Sequence, residues 1–488
     1  MKLSKLIKDL PALEIYGSKA IEITGISNHS KRVGPGNLFI AKKGAVTDGN
    51  LYTPEAVASG AVAIVTDIYD PSLKNATQII CENIEEIEAV LAARYYEFPS
   101  KQLIMVGATG TKGKTTTTYL MQHLLDRQSL PCGLMGTIEY CTGTHHYPAS
   151  HTTPDVLTNH RMLREMIQEK CRACVMEVSS HALDQGRVSC IDFDVCVYTN
   201  LYPDHLDYHG SMEEYVKSKN ILFAKLADPA KKIVYNADCP MWKDVLKGAV
   251  AKLFSYSIET PSDLRAENIK LNAEGSFFDV VWENQTFPCR SPIVGLHNVY
   301  NVLAALAAVA VLGYPLKSLI ESLETFPQVP GRLERVSNPL GLQIYVDFAH
   351  TGDSIQAVLK SLLPFKKGRL ITVFGCGGDR DPGRRPSMAK AVEKLSDIAI
   401  VTSDNPRTED PQKIIDDIMA GFSSKERAAA EPDRYAAIEK AVAMASPGDL
   451  ILIAGKGHEK YQLFANKRIE FDDCKVAYDI CKAKMAAV

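Results

Sequence analysis

The chain has 488 residues, 46% hydrophobic and 23% charged, with a formal net charge of -3, which reads as an ordinary soluble globular protein of about three domains. That balance excludes a binder of nucleic acid or of anionic membrane, which needs a basic face, so any basic site must be local. The longest apolar stretch, residues 302–312, is too short to span a bilayer, and the N-terminus lacks the apolar core and cleavage site of a signal peptide. A cytoplasmic protein, with no membrane insertion and no nucleic-acid partner, is expected, and a monomer. The 12 cysteines are scattered, mostly in apolar segments (Cys132, Cys190, Cys196, Cys376), which predicts reduced, buried thiols. Cys171 and Cys174 form a lone C-x-x-C without a second pair or histidines, and read as ordinary residues rather than a zinc or redox motif.

Residues 1–100 mix short strands (21–23, 38–41, 63–65) with helices, separated by turn signals at Gly34-Pro35-Gly36 and Asp48-Gly49. This predicts a small α/β domain, with a linker at residues 97–100. Over residues 101–330, continuous apolar strands (103–106, 173–176, 195–198, 232–235) alternate with helices, the pattern of a mostly parallel sheet covered on both faces. Residues 265–294 alternate in the manner of antiparallel strands, and a helix follows from His297. Pro327 to Gly331 breaks the pattern, and a second α/β series occupies residues 331–488, with strands at 343–347, 370–375, 398–402 and 450–455. The expectation is an α/β protein of three domains, 1–100, 101–330 and 331–488. In open α/β sheets ligands bind beyond the carboxyl ends of the strands, and each of these strands ends in a glycine-rich or polar cluster.

The first such cluster is Gly107-Ala108-Thr109-Gly110-Thr111-Lys112-Gly113-Lys114-Thr115, between an apolar strand and a helical pattern. Strand, glycine-rich turn, Lys-Thr and helix is an arrangement that cradles nucleotide phosphates. Backbone N–H groups and the helix N-terminus face the anion, Lys114 adds a point charge, and the Thr115 hydroxyl suits Mg²⁺. A strict phosphate loop has glycine where Ala108 stands, so Gly107, Gly110 and Gly113 make a variant loop. Glu177, ending the strand 173–176, is the candidate carboxylate for Mg²⁺, which prefers hard oxygen ligands; capping the next helix is its other reading. His205 and His209 read as ligands, proton carriers or plain loop residues. Asn298 and Asn301 share one helix face at i and i+3 and suit an adenine edge, or a helix cap.

The loop 110–115, the Met176-Glu177-Val178-Ser179-Ser180 strand end, Thr199-Asn200 with the 204–210 segment, Gly295 to Asn301, and Asp347-Phe348-Ala349-His350-Thr351 together resemble the Mur ligases, ATP-dependent amide-forming enzymes of peptidoglycan precursor synthesis. The resemblance runs over essentially the whole chain. It implies a UDP-binding first domain, a phosphate-loop ATPase second domain and a Rossmann-like third domain for the incoming amino acid. By position, Gly110, Thr111, Lys112, Gly113, Lys114, Thr115 and Thr116 would hold ATP, Asn298 and Asn301 adenine, and Arg332 and Asp347 the ribose and terminal phosphate. Thr115 and Glu177 would hold one Mg²⁺, and His205 with Lys219 a second. Lys219, which by pattern is a helix-surface lysine, would be carbamylated by CO₂, turning a cation into an oxygen anion. That reaction needs the neutral amine.

The resemblance also implies that Ser30, Ala45, Val46 and Thr47 meet the UDP group, while Thr152, Thr153, Ser179, Gln185 and Arg187 position the muramoyl dipeptide. Asp404, Asn405, Pro406 and Arg407, with Arg380, Gly455 and Glu459, would take meso-diaminopimelate. Diaminopimelate exceeds lysine by one carboxylate, which a guanidinium binds through two parallel hydrogen bonds. The implied reaction joins it to the D-glutamate side-chain carboxylate of UDP-N-acetylmuramoyl-L-alanyl-D-glutamate through an acyl phosphate. The alternatives are a sister ligase adding another amino acid such as L-lysine, a folate-type polyglutamate ligase, and a nucleotide-binding switch without synthesis. Two departures stand out. The family's Asp-Ser-Arg is His29-Ser30-Lys31 here, and its Ala-His-Thr-Pro is Ala349-His350-Thr351-Gly352, which predicts a looser turn at His350.

Overall fold

A computed structural model describes residues 1–488 apart from 12, 45–46, 466 and 487–488. The described residues form two compact units, Met1–Asp263 with Ala304–Leu316, and Leu264–Leu303 with Lys317–Val488.

The first unit carries two sheets. The smaller runs in the order Glu14–Tyr16, Thr77–Ile80, Ala61–Thr66, Asn37–Ile40, Gly25–Ser27, parallel except for the first pair. The expected strand at 21–23 is only a bridge, because Ile21 and Ile23 bond to the backbone of Leu3 and Met1 instead of to a sheet neighbour. Leu38, Ile40, Ala63, Val65 and Ile79 face the helix Ile84–Tyr95 and leave no surface exposed. Each such Val, Leu or Ile contributes about 1.5–3 kcal/mol by leaving water. The expected linker is a tight corner: Glu97 and Phe98 both take positive φ, and Pro99 and Ser100 are buried.

The larger sheet is built on six parallel strands in the order Lys252–Ser257, Lys232–Asn236, Val195–Tyr198, Ile104–Thr109, Ala173–Glu177, Cys132–Met135. Antiparallel strands Glu139–Cys141 and His146–Pro148 extend it. The strands 104–109, 173–177 and 195–198 are adjacent, so the segments after them emerge side by side at one sheet edge. These are the phosphate loop, the Glu177–Ser180 segment and Thr199–Asn200. Cys132, Cys171, Cys174, Cys196 and Cys376 are buried thiols, while Cys190, expected to be buried, is exposed at a left-handed turn. Among the described residues no helix is long and apolar enough to cross a membrane.

The second unit opens with an antiparallel meander, Leu264–Asn272, Gly275–Trp282 and Gln285–Ser291. Its main sheet runs Glu334–Arg335, Gln343–Asp347, Leu450–Ala454, Leu370–Phe374, Ile398–Val401, Ala428–Ala430, parallel after the first pair. Helices Gly352–Leu362, Arg384–Leu395 and Pro411–Met419 cover one face through Ile355, Met388 and Ile415. Helices Arg434–Met444 and Asp473–Ala486 cover the other through Ile438, Val442 and Ile480. Such a doubly covered parallel sheet needs strands that are apolar on both sides, as Leu450–Ala454 and Leu370–Phe374 are. Leu271, Ala273 and Val294 pack into the first of these cores, which is why the meander belongs to this unit.

Candidate active site

In the first unit, the phosphate loop bends sharply after the strand Ile104–Thr109. Gly110 has φ 151°, and a Cβ there would lie 1.9 Å from Thr199 Oγ1. The loop is fixed by the segment after the neighbouring strand: Thr111 N and Lys112 N donate to the Asn200 carbonyl and side-chain oxygens, each at 2.9 Å. Thr199 Oγ1 in turn donates to Lys112 O at 2.7 Å. The helix Lys114–Arg127 starts directly after Gly113, with Thr115 and Thr116 buried in its first turn. Thr115 Oγ1 lies 3.1 Å from Glu177 Oε2, so a hydroxyl and a carboxylate oxygen converge beside the loop. Glu177 is completely buried and also accepts from Thr137 N and Thr137 Oγ1. Thr137 carries no motif in the sequence; the strand Cys132–Met135 delivers it.

Lys219 sits on the helix Met212–Ala224, where pattern puts it at the surface, yet its exposure is 1%. Its Nζ donates to Gly110 O at 3.1 Å and lies 4.7 Å from the Tyr215 ring centre. Lys114 Nζ reaches the same carbonyl at 2.8 Å. Burial first, and the Lys114 charge second, push the Lys219 amine well below the usual lysine range. Tyr215, which the sequence did not single out, links these parts, since its hydroxyl lies 3.1 Å from Thr111 Oγ1 and its ring neighbours His205 and His209. His205 holds a left-handed φ of 55°. Partial burial lowers its ring pKa, and Lys114 and Lys219 add to that while Asp204 opposes it. His209 bonds Ser180 Oγ at 3.0 Å.

The residues expected at the dipeptide form one connected network. Thr153 Oγ1 donates to Glu177 O at 2.7 Å and accepts from Ser179 N at 3.1 Å. Arg187 donates to Thr153 O at 3.0 Å and to Gln185 Oε1, and Thr152 Oγ1 lies 3.1 Å from Thr137 Oγ1. Gln185 and Arg187 line a cavity of about 220 Å³ with Asn28, Lys42, Glu88 and His151. Ser30 is buried in a turn whose N-cap is His29, through an Nδ1 that accepts from Lys31 N. The departure at His29 thus serves the backbone locally. Thr47 is exposed, and its carbonyl accepts from Gly44 N at 2.8 Å. Ala45 and Val46 lie outside the described residues.

In the second unit, Asn298 and Asn301 are buried and bonded to each other at 2.9 Å, with Asn298 Nδ2 also on Val294 O. The two amides thus share one face of the helix, and Asn298 ties it to the turn before it. Asp347 is buried, its oxygens accept from Leu333 N at 2.7 Å and Ala349 N at 2.8 Å, and burial raises its pKa. Arg332 stacks 5.1 Å from the Phe348 ring centre. The turn at His350 is not loosened by Gly352. His350 Nδ1 bonds Phe348 O at 2.8 Å, Thr351 caps the following helix with a capping box, and a Cβ at residue 352 would press within 2.9 Å of Ser387.

The residues expected at the incoming amino acid come from the loops after three adjacent parallel strands, 450–454, 370–374 and 398–401. Asp404, Asn405 and Pro406 are buried. Asn405 Nδ2 donates to Glu459 Oε2 at 2.7 Å, and the buried Lys456 Nζ lies 3.1 Å from Asn405 Oδ1 and 3.2 Å from Glu459 Oε2. Sequence reasoning missed Lys456, although it stands inside the Gly455–Glu459 motif. Gly455 has φ 114°, and a Cβ there would lie 2.4 Å from Asp404 Oδ2. Burial raises the Asp404 pKa, against the pull of Lys456. Arg407 holds a left-handed φ of 54° and donates to Gly378 O at 2.5 Å, while Arg380 is exposed.

A phosphate loop with a converging hydroxyl and carboxylate, and a doubly covered parallel sheet with polar strand ends, define a phosphate-loop nucleotide-binding α/β protein. Residues 22–102 match the Mur ligase family catalytic domain, 108–309 the Mur ligase middle domain and 331–457 the Mur ligase glutamate ligase domain. The chain belongs to the Mur ligase family. It is 44% identical over 491 aligned residues, covering 100% of both chains, to UDP-N-acetylmuramoyl-L-alanyl-D-glutamate--2,6-diaminopimelate ligase of Chlamydia trachomatis. It is 41% identical, over 98% of each chain, to the ligase of the same name from Geobacillus thermodenitrificans. A solved structure of such a ligase superposes with TM-score 0.72 at 31% identity, covering 99% of each chain. The ADP complex of MurF ligase from Thermotoga maritima shares the fold, with TM-score 0.65 at 18% identity, covering 95% of this chain and 98% of that one.

Proposed function

We propose that the chain is an ATP-dependent ligase that joins meso-diaminopimelate to the D-glutamate side-chain carboxylate of UDP-N-acetylmuramoyl-L-alanyl-D-glutamate, and that it works in the cytoplasm, where ATP and UDP-sugars are found. The observation that carries this is full-length identity of 44% to ligases of that name. The strand-end loops with Asp404, Asn405, Arg407 and Glu459 support it. We assign residues 1–100 to the UDP group, 101–330 to ATP and 331–488 to the incoming amino acid.

The substrate carboxylate attacks the γ-phosphorus of ATP, giving an acyl phosphate and ADP. An uncharged amine of diaminopimelate adds to the acyl carbon, and the tetrahedral intermediate collapses to amide and phosphate. Lys112 and Lys114 offset charge on the moving phosphoryl group. Thr152, Thr153, Ser179, Gln185 and Arg187 hold the dipeptide so that its carboxylate meets the γ-phosphate. Asn298 and Asn301 take the adenine edge, and Arg332 and Asp347 the ribose and phosphate end. Arg407 and Arg380 pair with carboxylates of diaminopimelate, and Glu459 with its distal ammonium.

Magnesium fits the donors present. Thr115 Oγ1 and Glu177 Oε2 converge as hard oxygens, and no cluster of three His, Cys, Asp or Glu able to hold a metal occurs among the described residues. With ATP bound, hydroxyl, phosphate and modified-lysine oxygens would complete the ligand sets, with His205 and Lys219 at the second ion. When bound, magnesium supplies positive charge against the phosphoryl oxygens. The buried, depressed Lys219 amine suits carbamylation: Nζ bonds to the carbon of CO₂, and its proton leaves to water.

The test is ADP formation and product mass with each substrate withheld in turn. ADP formation should need the UDP-dipeptide, diaminopimelate and Mg²⁺ together, and should yield the UDP-tripeptide. ATP hydrolysis at an equal rate without any amino acid would overturn the reading.

A further inference from the structure

Resting on the diaminopimelate reading above, we propose that Glu409, anchored by Arg385, is a positioning residue that locks the two arginine-bearing loops of the amino-acid site into one rigid unit. The two loops follow different strands: Gly377–Arg380 follows Leu370–Phe374, and Asp404–Arg407 follows Ile398–Val401. Each contains a non-glycine residue with left-handed φ, Asp379 at 53° and Arg407 at 54°. Such residues are strained and persist only where surrounding bonds over-determine them.

Glu409 is the node of those bonds. Its Oε1 accepts from Asp379 N at 2.6 Å and from Arg385 Nη2 at 2.9 Å, and its Oε2 accepts from the same Nη2 at 2.7 Å. Arg385 is 1% exposed, and its other arm donates to Asp417 Oδ2 at 2.8 Å, so the anchor itself is fixed. Thr408 Oγ1 closes the clasp by donating to Asp379 Oδ1 at 2.6 Å. Gly378 N donates to Asn405 O at 2.9 Å, and Arg407 Nη1 to Gly378 O. The bond from Arg385, and after it the Asp379 N–H, hold the Glu409 carboxyl below the usual range, and the Thr408 hydroxyl does the same for Asp379.

Two guanidinium groups can read two carboxylates only at a fixed spacing, and a binding group held about 1 Å loose loses much of its value. Neither Glu409 nor Arg385 has to touch the substrate; they set where Arg380 and Arg407 stand.

Glu409→Gln keeps the shape and the acceptor for Asp379 N, but places an NH₂ or a neutral oxygen against Arg385. The expected result is a KM for diaminopimelate raised about 10-fold or more, KM for ATP and for the UDP-dipeptide unchanged, and a reduced preference over lysine. Thr408→Val, at an exposed position, should move the same KM in the same direction by less, and covers the case in which Glu409→Gln does not fold. Glu409→Asp should fall between wild type and Glu409→Gln. A diaminopimelate KM within twofold of wild type in every folded variant overturns the inference, as does an equal rise in all three KM values. Failure of the wild-type enzyme to use diaminopimelate would instead sink the functional reading beneath it.

Discussion

Lys219 in the first unit, beside the phosphate loop, and Lys456 in the second unit are both buried, in opposite surroundings. Lys219 meets a backbone carbonyl, an aromatic ring and another lysine, and makes no ion pair among the described residues. Lys456 meets the Glu459 carboxylate and the Asn405 amide oxygen, with Asp404 close enough to feel its charge. Burial without an ion-pair partner disfavours the charged amine, as the proposed carbamylation would require. Burial beside carboxylates makes the lysine part of the framework, fixing the Glu459 oxygen. The same residue type is thus left without an ion pair in one region and built into a polar framework in the other.

The largest expected effect tests the amino-acid region. Arg407→Ala should cut the kcat/KM preference for diaminopimelate over lysine by on the order of 10³–10⁴-fold, with ATP binding retained, because a site built to pair a charge rejects an analogue lacking it. An unchanged preference would remove Arg407 from the specificity account. Next, Lys219→Ala should lower turnover about 10²–10³-fold, with partial recovery on adding a short carboxylic acid that replaces the lost oxygen anion. Full activity without rescue would refute the carbamate.

The two lysines should also part company in stability. Lys456→Met leaves Glu459 without its ion-pair partner and Asp404 with only the Arg434 cation nearby, and should cost about 3 kcal/mol in urea unfolding, whereas Lys219→Met should stay within about 1 kcal/mol of wild type. Equal losses would mean that the two burials are not different in kind.

The smallest effect is a pH dependence. Burial pushes His160 down from 6.5 to about 4, and its Nε2 donates to Ser189 O at 3.3 Å as the neutral ring. The folded value lies below the unfolded one, so the unfolded chain takes the proton first. Stability present above pH 6.5 should fall as pH drops towards about 4, by on the order of 2 kcal/mol. His160→Gln should flatten unfolding midpoints over that window, and an identical slope would show that His160 is not their source.

The phosphate loop was legible because its strand, glycines, Lys114 and Thr115 are contiguous and their geometry is local. Lys219 reads as a surface lysine from its polar chain neighbours Ser218 and Asn220, although Tyr215, Leu222 and Phe223, at helical spacing on the same face, are buried with it; what it meets there, Gly110 O, is 109 residues away in sequence. Thr137 and Tyr215 carry no motif, and their roles exist only once adjacent strands bring them to Glu177 and Thr111. The amino-acid region depends still more on tertiary context: Arg407 was expected on the strength of a resemblance, but its left-handed backbone and its bond to Gly378 arise between two separate loops. Periodicity does not foretell such turns, which is also why Cys190 was expected inside and lies outside.

The most direct test of the account is a one-tube competition, with ATP, Mg²⁺, the UDP-dipeptide and equal concentrations of diaminopimelate and L-lysine, read by product mass. The account predicts the diaminopimelate tripeptide as the overwhelming product in the wild-type enzyme. Comparable amounts of the two tripeptides, or an excess of the lysine product, would contradict it.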